Sequence, residues 1–159
     1  MDEQDQVTPQ PRSGTSAEQA VSESTQAPPP ADGYAGDISP QLAWQWVQDG
    51  QGLIVDVRSD AEREWVGFVP GAVPLALKQW PGMALNPDFD PGLRGLSAGK
   101  RLLMLCRSGV RSITAARRAT ELGLEAYNIL EGFEGNPDPE GRRGRTGGWR
   151  FHGLPWRQN

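Results

Sequence analysis

Arg101-Leu102-Leu103-Met104-Leu105-Cys106-Arg107-Ser108-Gly109-Val110-Arg111-Ser112 contains three kinds of segment in succession. The first five residues are almost wholly apolar, the signature of a short strand buried on both faces of a parallel sheet. Cys106 stands at the carboxyl end of that strand. A short stretch containing glycine then turns the chain. From Ser112 to Leu122, Ile113, Ala115, Ala116, Ala119 and Leu122 recur at helical spacing, and Gly123 supplies the stop. Strand, tight turn and helix in this order predict one unit of an α/β fold.

The flanks repeat the pattern. Leu53 to Val57 is a second apolar run of strand length, and Asp60 to Trp65 reads as a short helix with an acidic first turn. Further upstream, Ser39 suits an N-cap and Pro40 the first helical position. Leu42, Ala43, Trp46 and Val47 follow on one face, and Gly50 closes the helix. Val69 to Ala72 reads as a turn and Val73 to Leu77 as an edge strand. Residues 78 to 99, with Trp80, Pro81, Pro87, Pro91 and four glycines, read mostly as loop. Downstream, Ala126 to Leu130 is a further strand and residues 135 to 148 a surface loop rich in glycine, proline and arginine. Trp149 to Trp156 returns apolar mass and is expected to pack back onto the body. There are no internal repeats. The expected architecture is α/β, a central, mostly parallel sheet with helices on both faces, formed by residues 37–159 as a single domain.

Residues 1–36 differ in composition and are expected to form a disordered, acidic tail rich in proline, serine and glutamine. Asp2, Glu3, Asp5, Glu18, Glu23 and Asp32 face Arg12 alone, so the formal net charge of −4 belongs to this tail and the remainder is nearly neutral. The run Pro28-Pro29-Pro30 reads as a stiff linker. A nearly neutral domain gives no reason to expect nucleic acid or a membrane as partner. The chain has one cysteine, which excludes an internal disulfide and a cysteine-based zinc cluster and fits a reducing compartment. Met1 to Gln6 is acidic and lacks the apolar core of a secretory signal, and no apolar run approaches the roughly 20 residues of a membrane span. The expected location is the cytoplasm.

In an open parallel sheet, ligands bind beyond the carboxyl ends of the strands, where Cys106 stands. The following loop leads into a helix N-terminus, whose outward amides favour negative charge. A loop curled around sulfur can aim further amides at it. With Arg107 and Arg111 adding positive charge, these features favour the thiolate and predict an activated nucleophile in a small anion pocket. A lone cysteine is more often an inert core residue. That reading leaves two arginines and a glycine at a strand-to-helix turn without a reason.

From about Ile38 to Pro155 the chain resembles the rhodanese family. Asp56-Val57-Arg58 with Glu62 is similar to that family's D-V-R-x-x-x-E segment, and Gly67 to Ala72 to its G-H-I-P-G-A turn, with Phe68 where the turn often has histidine. Cys106 to Arg111 resembles the family's active-site loop. Asn128 to Gly132, Gly147-Gly148-Trp149 and Gly153-Leu154-Pro155 resemble its C-terminal end. The resemblance implies a sulfurtransferase: Cys106 would take a sulfane sulfur from a small-molecule donor as a persulfide and pass it to a thiol acceptor, a redox protein included, with no cofactor and no metal. Amides of Arg107, Ser108, Gly109, Val110 and Arg111 would cradle the sulfur. Arg107 and Arg111 would orient an anionic donor such as thiosulfate, with Ser108 and Ser112 as hydroxyl donors. Asp56 and Arg58 would brace the strand end, and an Arg58 pair with Glu62 would be an ordinary structural contact. Residues 136 to 148 are an insertion before the C-terminal element, and their arginines read as a solvated loop rather than an RNA site. His152, the only histidine, reads as a packing or surface residue.

Two alternatives stand beside this reading. Cysteine-dependent phosphatases and arsenate reductases also hold cysteine in an anion-binding loop, but usually place arginine six positions on. Here Arg111 is the fifth and Ser112 the sixth. A rhodanese-like sulfide sensor or binding module is the other, since fold does not fix function.

Overall fold

The computed structural model describes residues 27–79, 82–96 and 99–159. The tail expected from composition therefore lies outside the described residues up to position 26, as do Trp80 and Pro81 of the expected loop.

Among the described residues, seven strands and four helices follow one another: β1 (Gly36–Ile38), α1 (Pro40–Gln48), β2 (Gly52–Asp56), α2 (Asp60–Val66), β3 (Val73–Pro74), β4 (Lys78–Gln79), β5 (Ala84–Leu85), α3 (Phe89–Gly95), β6 (Arg101–Leu105), α4 (Arg111–Glu121) and β7 (Ala126–Ile129). Five strands form one sheet in the order β1-β7-β6-β2-β3, with every neighbouring pair parallel. All carboxyl ends therefore lie along one edge, and the loop after β6 opens there. The two central strands are the apolar runs singled out from the sequence. Leu102 to Leu105 and Ile54 to Asp56 are all buried.

Helices cover both faces. Ala43 and Trp46 of α1 pack with Ile54, Leu103, Leu105 and Ile129 on one face, joined by Phe133 and Trp149. Ala115, Ala116 and Ala119 of α4, with Phe89 and Leu93 of α3, pack on Val55, Leu102 and Met104 on the other. Alanine dominates the inner face of α4, which lets its backbone come close to the sheet and brings its first turn near the end of β6. Trp46 is fully buried, and truncating it to alanine is expected to cost about 3–5 kcal/mol.

The helix starts follow local chemistry. Ser39 Oγ accepts the Leu42 amide at 3.1 Å, with Pro40 in the first turn. Ser59 and Glu62 form a complete capping box on α2.

Three expectations change. The packed body starts before residue 37: Gly36 opens β1, and Tyr34 is buried against the α4 side of the sheet. Composition missed this because one tyrosine among polar residues leaves no periodic signal. The edge strand is shorter than Val73 to Leu77 and ends at Pro74, whose nitrogen faces away from β2, where a missing amide hydrogen is tolerated. The amides of Leu75 and Leu77 still reach Asp56 O and Val57 O at 2.9 and 3.1 Å. Residues 78 to 99 are not mostly loop. They hold the antiparallel β4–β5 pair and α3. Pro91 falls in the first turn of α3, where its missing N–H costs no helical bond. Phe89 and Leu93, one turn apart, anchor that helix in the core.

Candidate active site

Cys106 follows the last residue of β6, and its exposure is 1%. Its Sγ accepts the Gly109 amide at 3.1 Å and lies 3.1 Å from Ser112 Oγ in the first turn of α4. Among the described residues Gly109 alone of the loop donates an amide to this sulfur. The loop thus curls around Sγ, with Gly109 at φ +97°, a conformation open to glycine and strained for other residues. Arg107 and Val110 are exposed on the rim, whereas Arg111 and Ser108 are half-buried.

A second segment holds the loop from behind. The Phe133 amide donates to Cys106 O at 2.8 Å, and those of Glu134 and Gly135 donate to Arg107 O at 2.9 and 3.2 Å. The two backbones nearly touch. A Cβ on Gly132 would stand 2.5 Å from Arg107 C and Ser108 N, so glycine is obligatory there. Glu131, at φ +68°, receives the Gly148 amide and lies 3.0 Å from His152 Nε2. His152 is thus a structural clip on the C-terminal segment. Trp149 is fully buried and donates its indole N–H to Pro155 O at 2.8 Å. The apolar C-terminal stretch packs back as expected, and the ends of the Gly-Arg segment (Gly135, Gly147 and Gly148) are buried rather than at the surface. Between them the arginines find local partners: Arg143 donates to Gly135 O at 2.7 Å, Arg142 pairs with Glu140 at 3.5 Å, and Arg145 with Asp138 at 4.0 Å.

The D-V-R-x-x-x-E segment divides into two ion pairs, and neither is Arg58 with Glu62. Arg58 turns back onto Asp56, with Nε at 3.0 Å from Oδ1 and Nη2 at 2.7 Å from Oδ2. Arg58 also donates to Gly67 O at 2.9 Å and stacks over the Phe133 ring at 4.3 Å. Both residues are fully buried, so they brace the end of β2 and, through Phe133, the segment behind the loop. Phe68 joins the same frame by backbone, exchanging hydrogen bonds with Arg157 at 2.9 Å in each direction. Its replacement of histidine leaves that pairing untouched.

Glu62 instead receives Arg111 in a two-pronged bond, both distances 2.7 Å. Burial pushes the Glu62 carboxyl up. The bonds and charge of Arg111 and the Ser59 contacts outweigh it and hold the group below its ordinary value. Arg111 is raised in turn, chiefly by its bond to Glu62, against the effect of burial and with help from the charges of Glu62, Cys106 and Asp56. Arg111 is thus a neutralised brace between α2 and the loop, and Arg107 is the loop arginine standing open to solvent.

Asn128, of which the sequence suggested no role, completes the site. Register sets it opposite Asp37 on one side and Met104 on the other. Its Oδ1 accepts the Ser112 hydroxyl at 2.5 Å. Asp37 and Asn128 are the residues missed by reading the chain in order, whereas Glu62 stands in the segment already singled out but pairs with Arg111 rather than Arg58. The weak signal for Asn128 was a polar residue inside an apolar strand.

A five-stranded parallel sheet with a cysteine in a tight strand-to-helix loop at its carboxyl edge defines a class of α/β proteins. Within it, residues 39–135 match the family model described as Rhodanese-like domain. The chain belongs to the rhodanese-like family. It is 44% identical to Rv0390 from M. tuberculosis, whose crystal structure it matches with a TM-score of 0.73 over 79% of this chain and 99% of that one. An uncharacterized protein, RP600 homolog, of Rickettsia rickettsii is 32% identical over 116 residues, 69% of this chain and 86% of that protein. A thiosulfate sulfurtransferase, GlpE, of Actinobacillus succinogenes is 28% identical over 120 residues, 75% of this chain and 87% of that protein. Among the described residues, no helix is long and apolar enough to cross a membrane.

Proposed function

We propose that the protein is a sulfurtransferase in which Cys106 carries sulfane sulfur as a persulfide. The observation that supports this best is the seat of the sulfur. Sγ lies at the bottom of a small loop, bonded by the Gly109 amide, and Cys106 as a whole is only 1% exposed. A reagent reaches it only with a protruding atom, and the terminal sulfur of thiosulfate or of a persulfide is such an atom. The likeness to a thiosulfate sulfurtransferase points the same way.

The chemistry is two displacements. Cys106, as thiolate, attacks the outer sulfur of thiosulfate. The S–S bond of the donor breaks, sulfite leaves with the electron pair, and Cys106 holds the sulfur as Cys–S–S⁻. An acceptor thiolate, small or protein-borne, then attacks the outer sulfur and departs as a persulfide, restoring the Cys106 thiolate. No external oxidant or cofactor enters. Arg107, on the rim, attracts the anionic donor. Arg111 does so less than the sequence suggested, because Glu62 already neutralises it.

The same pairing argues against a phosphatase. Binding a tetrahedral dianion needs an arginine free to encircle it, and the arginine that ends this loop is held by Glu62.

Intact mass after incubation with thiosulfate tests the reading. The wild-type protein gains one sulfur atom, removed by cyanide or a thiol, and the nearly isosteric Cys106→Ser variant folds but gains none. Absence of an adduct with thiosulfate and with glutathione persulfide, or transfer that survives in Cys106→Ser, sinks it. Loading with very slow release to every thiol offered would instead mark a sulfide sensor.

A further inference from the structure

We propose that Asp37 and Asn128 are positioning residues that aim the Ser112 hydroxyl and so set how readily Cys106 gives up its proton. The proposal rests on Cys106 being the reacting group of the preceding reading.

The argument starts from Asp37, whose carboxylate accepts hydrogen bonds and does not donate them. Its Oδ1 takes the Tyr34 hydroxyl at 2.8 Å and Asn128 Nδ2 at 2.9 Å. This orients the Asn128 amide, since the flipped amide would set oxygen against oxygen. Asn128 Oδ1 then faces Ser112 Oγ at 2.5 Å. Of those two oxygens only the hydroxyl carries a hydrogen, so Ser112 donates it to Asn128. Ser112 has no second hydrogen. What it turns toward Cys106 Sγ, 3.1 Å away, is a lone pair.

A thiol meets that lone pair with its S–H. A thiolate meets it as repulsion, unless Ser112 swings its hydrogen to sulfur and leaves Asn128 Oδ1 unpaired. Ser112 and Asn128 are both buried, at 0% and 1% exposure, so an abandoned carbonyl there is costly. The Gly109 amide therefore favours charge on Sγ, and the Asp37–Asn128–Ser112 chain opposes it.

Other charged groups surround the loop. They are Arg107 and Arg111 on the loop itself, Glu62 from α2, Asp56 and Arg58 at the end of β2, and Glu131 with His152 from the C-terminal segment. They are common to all the variants below, so differences between variants isolate the chain from Asp37.

The test is the rate of iodoacetamide alkylation of the reduced full-length protein against pH. It compares wild type with Asn128→Ala, Ser112→Ala, Asp37→Ala and the two double variants that combine Ser112→Ala with each of the others. Removing Asn128 frees the Ser112 hydrogen for sulfur. The profile then moves to lower pH by about one unit, roughly a tenfold gain in rate on its acid side. Removing Asp37 lets the amide turn and donate to Ser112, with a shift in the same direction. Asp37 is only half-buried, so that variant carries the test should Asn128→Ala fail to fold. In both double variants the profile follows Ser112→Ala alone, because no hydroxyl remains to redirect. An unmoved profile in the single variants, or an equal shift with and without Ser112, overturns the proposal. Alkylation needs no sulfur transfer, so its outcome is independent of the mass experiment that tests the persulfide.

Discussion

Two arginine–carboxylate pairs grow from the same short segment and work in different regions. Asp56 with Arg58 lies inside the corner between β2 and α2, both side chains fully buried. Glu62 with Arg111 lies on the rim of the Cys106 loop, the side chains 24% and 22% exposed. The interior pair is local, two residues apart, while the rim pair spans 49 residues and joins two helices. Burial decides what each can do. A charge in the interior cannot be left alone, so the first pair belongs to the fold. A charge on the rim can be re-solvated, so the second tunes the placement of the loop at modest cost.

The sharpest way to break this contrast is to remove one interior partner. Arg58→Ala leaves the Asp56 carboxylate buried without its main counter-ion, and is expected to cost about 3–5 kcal/mol in urea unfolding. A loss under about 1 kcal/mol would mean that Arg63, whose Nε lies 3.5 Å from Asp56 Oδ2, replaces it, and the contrast would collapse. Next comes Glu62→Gln. Its stability loss is expected to be about 1 kcal/mol, because the amide keeps part of the capping box and the pair is partly solvated. Its rate of sulfur loading from thiosulfate should fall by roughly tenfold to a hundredfold as the loop shifts. Stability and loading that fall in proportion would place the rim pair with the fold instead.

A smaller effect appears on acidification. The Glu62 carboxyl is held below its ordinary value in the folded protein. Its stabilising effect is therefore complete above the usual carboxylate range and is lost as pH falls through the lowered value. The gap in melting temperature between wild type and Glu62→Gln should stay constant from about pH 8 to pH 5 and close below about pH 4. A gap that closes near neutrality would assign the effect to another group. The least change is expected from Asp60→Asn. Asp60 meets Arg63 at 3.7 Å but is almost fully exposed, and the urea midpoint should not move measurably.

What could be read in advance follows from the range of each interaction. The strands Gly52–Asp56 and Arg101–Leu105 announce themselves as unbroken apolar runs, and α1 and α4 by their periodicity and, for α1, its Ser39 and Pro40 cap. The helix α3 was hidden because Pro91, Gly92 and Gly95 are loop residues by composition. Only contact shows what lies beside Gly92: a Cβ would stand 2.6 Å from Leu75 Cδ1, so that side chain would have to move aside. Cys106 and its loop were legible because a strand-to-helix turn is a local object. The partner of Arg58 was misread, because a sequence shows that charges exist within reach but not which way a buried guanidinium turns.

The sequence by itself determined the α/β class, the parallel central strands, the edge at which Cys106 stands and the loop around it. These depend on hydrophobic periodicity and turn chemistry, which act over a few residues. Tertiary structure decided what Cys106 sees. Asp37 meets Asn128, 91 residues away, only because β1 pairs with β7, and Glu62 meets Arg111 only because α2 and the loop share the same edge of the sheet. Hydrogen bonds act at about 3 Å and depend on direction, so no pattern along the chain specifies them until the register of the strands is set.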